Sequence, residues 1–111
     1  MAASTGQEVS GVDFDAALDV LSDEYACRLL AALEEGPMGA RNLAETCDMS
    51  RATAYRRLER LETLGFVTSE MAYDADGHHR KRFRLTLEEL HLEVGADGVD
   101  GSVSLAQPAG D

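Results

Sequence analysis

The chain contains no tryptophan and only six aromatic side chains: Phe14, Tyr25, Tyr55, Phe66, Tyr73 and Phe83. Its core must be built mostly from Leu, Val and Ala, and 111 residues suffice for one domain with a core of modest size. No apolar run approaches the roughly 20 residues that cross a bilayer as a helix. The opening stretch MAASTGQEVSG lacks the basic-then-apolar order of a secretory signal. A cytoplasmic protein without a membrane partner is expected. Two cysteines, Cys27 and Cys47, cannot supply the disulfide framework of a secreted domain. Cys27 falls on a helix face with leucines, which predicts a buried free thiol; Cys47 falls near a helix end, which predicts partial exposure. Catalytic apparatus is equally scarce. There is no Gly-rich phosphate loop and no Ser or Cys nucleophile beside a plausible base, and the carboxylates are scattered. An enzyme is not expected, and no cofactor or small-molecule ligand is identifiable.

Positive charge is scarce too, and it is concentrated. The net charge is −11, and nine of the ten cationic residues are Arg. Residues 1–50 carry a net −8 and residues 85–111 a net −6, whereas residues 51–84 hold eight of the ten cations and a net +3. Acid-rich, Lys-poor composition is typical of halophilic cytoplasmic proteins, in which high salt screens self-repulsion. It points to a salt-accumulating archaeon as the source.

The cationic third begins with SRATAYRRLERLETLGF, residues 50–66. Ala54, Leu58, Leu61 and Leu64 recur at steps of four, three and three, one buried stripe of a helix. Ser50 is placed to cap its start and Gly65 to end it in a left-handed conformation. Arg56 and Arg60 point away from the stripe, and Arg51 and Arg57 flank it. The segment reads as a helix over 50–64 with an apolar back and a cationic front.

Upstream, residues 1–11 are small and polar and are expected to be disordered. VDFDAALDVLS (12–22) predicts a first helix with Phe14, Ala17, Leu18 and Leu21 on one face. DEYACRLLAALEEG predicts a second, capped by Ser22 or Asp23, with its apolar positions Tyr25, Ala26, Leu29, Leu30 and Leu33 at helical spacing and ended by Gly36-Pro37. A short third helix, about 39–47, turns through Asp48-Met49-Ser50 into the cationic one, a helix-turn-helix unit. After Gly65 the period falls to about 2. Residues 66–73 and 78–87 read as strands joined at Asp74-Ala75-Asp76-Gly77, with Asp76-Gly77 the strongest hairpin signal in the chain. EELHLEV (88–94) fits either a strand or a helix; the Gly95-Ala96-Asp97-Gly98 turn signal favours a strand, with Val99, Val103 and Leu105 returning weakly. The expected fold is mainly α with a β-hairpin wing: a winged helix-turn-helix domain over 12–94, an extra C-terminal strand, and a weakly ordered extension over 95–111.

A helix fits the major groove of B-DNA, and its first turns reach base edges. That assigns Ser50, Arg51, Thr53, Tyr55 and Arg56 to double-stranded DNA, with Arg57 and Arg60 on phosphates. The run His79-Arg80-Lys81-Arg82 would place a basic wing, residues 66–87, on the backbone or minor groove. The plainer alternatives are a solvated charged helix, with Glu59 and Glu62 pairing the arginines, and an edge strand guarded by charge. His78 and His79 are adjacent on a strand and face opposite ways, so they do not share a metal ion; His91 and Glu93 can share a face, but two ligands do not make a site. Two other functional readings fit the residues: a winged-helix module that docks on protein, and a thiol-responsive regulator using Cys27 and Cys47.

LAETCDMSRATAYRRLERLETLGFV, followed by a wing ending FRL, resembles the winged helix-turn-helix transcriptional regulators of the ArsR type, particularly small archaeal members. The resemblance spans about residues 14–87. It implies homodimers that bind palindromic operators, usually as repressors. It does not carry metal sensing over. The family's arsenic-binding cysteines are replaced by Gly39, Ala40 and Arg41, and of its C-terminal metal site only His91 and Glu93 remain. The long C-terminal helix of the family has no counterpart in the pattern, which leaves Phe14, Leu18, Leu21 and the 90–94 strand as candidates for a dimer contact.

Overall fold

Helix ends are set locally in this chain, and two of them fix the central motif. In the computed structural model, which describes residues 7–9, 14–73 and 75–106, Ser50 Oγ accepts from the Thr53 N–H at 3.0 Å and starts the cationic helix. Gly65, at φ 81°, ends it, with Phe66 N–H donating to Leu61 O and Gly65 N–H to Glu62 O, both at 2.9 Å. The preceding helix ends the same way on a non-glycine residue: Asp48 takes φ 57°, while Met49 N–H reaches Ala44 O at 3.0 Å. Asp tolerates the left-handed region better than most residues, so the turn between the two helices needs no glycine.

The element order is β1 (Gln7–Val9), α1 (Phe14–Leu21), α2 (Glu24–Leu33), β2 (Met38–Gly39), α3 (Ala40–Thr46), α4 (Arg51–Thr63), β3 (Val67–Tyr73), β4 (His79–Leu85), β5 (Leu87–Gly95) and β6 (Gly98–Leu105). Two antiparallel three-stranded sheets result, ordered β2-β4-β3 and β1-β6-β5. Helices α3 and α4 form the helix-turn-helix and β3–β4 the wing, so the fold is a winged helix-turn-helix. The core collects Leu29 and Leu33 of α2, Leu43 of α3, Ala54, Leu58 and Leu61 of α4, and Phe66, Val67 and Phe83 around the wing's base. The apolar back expected for α4 is buried, with Leu64 at its edge.

Several expectations are corrected by the tertiary structure. In α1 the inward residues are Ala17 and Val20, with Leu21 beside them, while Leu18 is exposed; the helix rolls toward Val20 because it lies against both α2 and β6. Gly39, read as the first residue of the third helix, instead caps it, and with Met38 it pairs with Arg82 and Phe83 as β2. The wing's pairing ends at Tyr73 opposite His79, one residue later than the expected return at His78, and Gly77 of the expected turn takes φ 82°. Asp74 lies outside the described residues.

The termini differ most. Residues 7–9, within the stretch expected to be disordered, form β1 along β6; the other residues up to 13 lie outside the described ones. Residues 98–105, within the extension expected to be weakly ordered, form the middle strand of the second sheet, and Val103 is buried in the core; residues 107–111 lie outside the described residues. Two contacts seat this sheet. Phe66 O accepts from both Thr86 N and Leu87 N at 2.9 Å, which ties the end of α4 to the wing's exit and the start of β5. The Phe14 ring lies against Gly101, so close that a Cβ there would fall 1.9 Å from a ring carbon.

Candidate nucleic-acid interface

Helix α4 has its apolar side sealed in the core and its opposite side in solvent. Arg51, Tyr55 and Arg56 are exposed on that front, and Thr53 is half-buried. Among the described residues neither Arg51 nor Arg56 has an ion-pair partner. Ser50 and Thr53 are engaged with each other, since the Ser50 hydroxyl also donates to Thr53 Oγ1 at 3.0 Å. They set where the helix begins as well as lying at its leading end.

Arg57 and Arg60, assigned from sequence to phosphates, are turned toward the first two helices. Arg57 Nε donates to Asp23 Oδ2 at 2.5 Å, and its guanidinium lies over the Tyr25 ring at 5.6 Å. Arg60 donates to Asp19 Oδ2 at 2.6 Å. With Arg56 and Ser22 these groups line a cleft of about 420 Å³. Of the local partners foreseen for the arginines, Glu62 is engaged elsewhere: it accepts from the Ser69 hydroxyl at 2.7 Å and sits 3.9 Å from Lys81.

Asp23 does two jobs. Its Oδ1 accepts from Tyr25 N–H at the start of α2, and its Oδ2 holds Arg57 of α4. The Arg57 hydrogen bond is the main reason its pKa lies below the usual carboxylate value, with the Tyr25 N–H adding to the effect and partial burial opposing it. A depressed folded-state pKa means this stabilisation is present above about pH 4 and fades as pH falls through the folded value. Asp23→Ala is expected to cost about 1–2 kcal/mol, part cap and part half-exposed ion pair, in urea denaturation at pH 7. The same comparison below pH 3 should show a much smaller gap. A pH-independent difference would rule out the ion pair as its source.

Strand alternation divides the basic wing between two faces. His79, Lys81, Phe83 and Leu85 share the face that meets α4: Phe83 is buried and Lys81 Nζ lies over its ring at 5.4 Å. Lys81, Phe83, Tyr55, Arg56, Glu59 and Glu62 line a groove of about 250 Å³ between α4 and β4. His79 packs edge-on against Tyr73, with ring centroids 4.3 Å apart. Arg80, Arg82 and Arg84 point the other way. Arg82 donates to Pro37 O at 3.4 Å, and Arg84 pairs with Glu70 at 3.5 Å. Arg80 and Arg82 meet Arg41 and Asn42 of α3 around a second cleft, of about 610 Å³. Sequence reasoning did not single out Arg41 or Asn42. The available signal was that Arg41 is one of only two cations upstream of residue 51.

The two thiols are reversed relative to expectation. Cys27 is exposed and its Sγ donates to Leu21 O at 3.0 Å, whereas Cys47 is buried beside Arg28. Burial pushes the Cys47 pKa up, which disfavours the reactive thiolate. Both cysteines are free. Among the described residues no helix is long and apolar enough to cross a membrane, and no three His, Cys, Asp or Glu side chains gather in a metal-binding arrangement.

A family model described as a helix-turn-helix domain matches residues 21–70, from the end of α1 through α4 into β3. The chain thus carries a helix-turn-helix domain, and the match covers the front of α4, whereas Asp19, Lys81, Arg80 and Arg82 of the neighbouring clefts lie outside it. A search of curated proteins returns no match.

Proposed function

We propose that this chain is a sequence-specific DNA-binding transcription regulator of the ArsR type, a dimeric, repressor-like protein that acts by occupying an operator rather than by catalysis. The observation that carries this reading is the front of α4. Arg51, Tyr55 and Arg56 stand exposed, and the two arginines lack ion-pair partners among the described residues, on a helix whose back is fully buried. The rest of the chain is acidic, so it repels DNA away from that front and the wing beside it. In this reading α4 enters the major groove. Lys81 lies beside α4, with His79 farther out on the same face of the wing, and Arg80 and Arg82 lie on the wing's other face next to Arg41 of α3, to contact the backbone or minor groove. The acid-rich composition also supports a salt-accumulating archaeal cytoplasm as its setting.

The test is fluorescence anisotropy on duplexes selected from a genomic-fragment library, across a series of salt concentrations. The logarithm of the affinity should fall linearly with the logarithm of salt, and Lys81→Ala should weaken all duplexes alike and reduce the slope by about 1. Absence of saturable duplex binding, or a slope near zero, would overturn the proposal.

A further inference from the structure

Strand β5 is the outer strand of the β1-β6-β5 sheet, nine residues long, and its far edge is unpaired among the described residues. Its side chains alternate by face. Leu90, Leu92 and Val94 lie opposite Val103, Gly101 and Val99, while Glu89, His91 and Glu93 lie opposite Ser104, Ser102 and Asp100. The inner end of the apolar face is covered, Val103 being buried in the core. The outer end is open: Leu92 is 47% exposed, Val99 50% and Val94 80%. Sheets usually guard such an edge with Lys, Pro or a bulge. Here the one irregularity sits at Leu87/Glu89, the inner end, and the outer half has neither Lys nor Pro.

The turn defines what this edge offers. The hairpin closes on Gly95 opposite Gly98 around two residues, so the pairs that exchange hydrogen bonds within it are those of the odd-numbered β5 residues. The backbone N–H and C=O groups of Leu90, Leu92 and Val94 therefore point to the free edge. These are the same residues that carry the exposed apolar side chains.

The strand is complementary to itself in one register. Antiparallel pairing with a copy, centred on Leu92, sets Leu92 beside Leu92, Leu90 beside Val94, and the His91 imidazole, a donor, beside the Glu93 carboxylate on both sides of the two-fold. Centring on His91 instead sets Glu89 against Glu93, and centring on Glu93 sets that carboxylate against itself. A shift by a single residue mixes the two faces. Within one chain Glu93 faces another carboxylate, Asp100; a second copy would supply the imidazole. We propose that β5 pairs with β5 of a second copy of this chain, antiparallel and centred on Leu92, to make one continuous sheet of six strands. This deepens the homodimer reading above and rests on it.

Sedimentation equilibrium of the full chain in 0.2 M KCl tests it. The wild-type protein should have the mass of two chains. His91→Glu places like charges opposite each other twice and should weaken the dimer about tenfold. Adding Glu93→Lys to His91→Glu should restore it. Circular dichroism confirms that each variant is folded. Leu92→Cys in a Cys27→Ser background should form an intermolecular disulfide on mild oxidation, because paired strand residues about 5.5 Å apart at Cα are within disulfide reach. His91→Cys should not, since its neighbour across the edge is residue 93. A dimer indifferent to the charge changes and without the disulfide at residue 92 would overturn the edge pairing and leave the homodimer standing. A wild-type chain that is monomeric at every concentration would overturn both.

Discussion

Arg51→Ala combined with Arg56→Ala is expected to lower affinity for the selected operator by roughly 30-fold to ten-thousand-fold. Each well-placed arginine–guanine contact carries about 1–3 kcal/mol of discrimination. Binding to unrelated duplex should fall much less, because only two of the chain's cations are lost and the wing is untouched. The structure narrows the choice to this pair. Four arginines lie on α4, but Arg57 and Arg60 are held by Asp23 and Asp19 of the segment before α2 and of α1. Freeing either from its carboxylate to reach a phosphate would cost part of the ion pair, so Arg60→Ala serves as the matched control and should change operator affinity little. Competition anisotropy against operator and scrambled duplex measures both quantities. An unchanged ratio of the two affinities in the double variant would remove α4 as the reading helix.

Phe66→Ala should have the largest effect on stability, about 3–5 kcal/mol from the lost side chain and the cavity it leaves. For a domain of this size each kcal/mol shifts the melting midpoint by about 4–8 °C, so a fall of at least ~12 °C is expected in a thermal melt followed by circular dichroism. Phe66 is the largest fully buried side chain, and its position explains its importance. Its N–H closes the end of α4, its carbonyl receives Thr86 and Leu87, and its ring lies in the shared core. Truncation therefore loosens the joint between α4, the wing and the second sheet at once. Phe66→Leu, which keeps most of the volume, should recover most of the loss. Equal destabilisation by both would place the effect in the backbone rather than in packing.

Much of this architecture was legible in the sequence because it is written in neighbouring residues. Ser50, Gly65 and the Ala54–Leu58–Leu61 stripe define α4 through capping chemistry and a 3.6-residue period, and each is local. The change of period after Gly65 announced the wing, and Gly95-Ala96-Asp97-Gly98 announced the second hairpin. Even the division of the basic run over two faces follows from alternation along β4.

What the sequence determined by itself, then, is the course of the helices and of the wing hairpin, and that positive charge gathers on them; the strands at either end and Met38-Gly39 were visible only in the tertiary structure. Only the tertiary structure decided which arginines on α4 remain available. Their partners Asp23 and Asp19 lie 34 and 41 residues away in sequence, and no local period encodes a pairing made when α1 and α2 dock on α4. The exposure of the two thiols was settled in the same way. Cys27 lies among leucines on a helix face and Cys47 near a helix end, which predicts the opposite order of burial, yet the packing of α3 on α2 covers only the second. The weak apolar return of Val103 and Leu105 became the centre of a sheet because Phe66, Thr86 and Phe14 bring α1, the wing's base and the C-terminal hairpin together. Local chemistry fixes the elements, and the burial of distant faces against one another decides which groups stay on the surface.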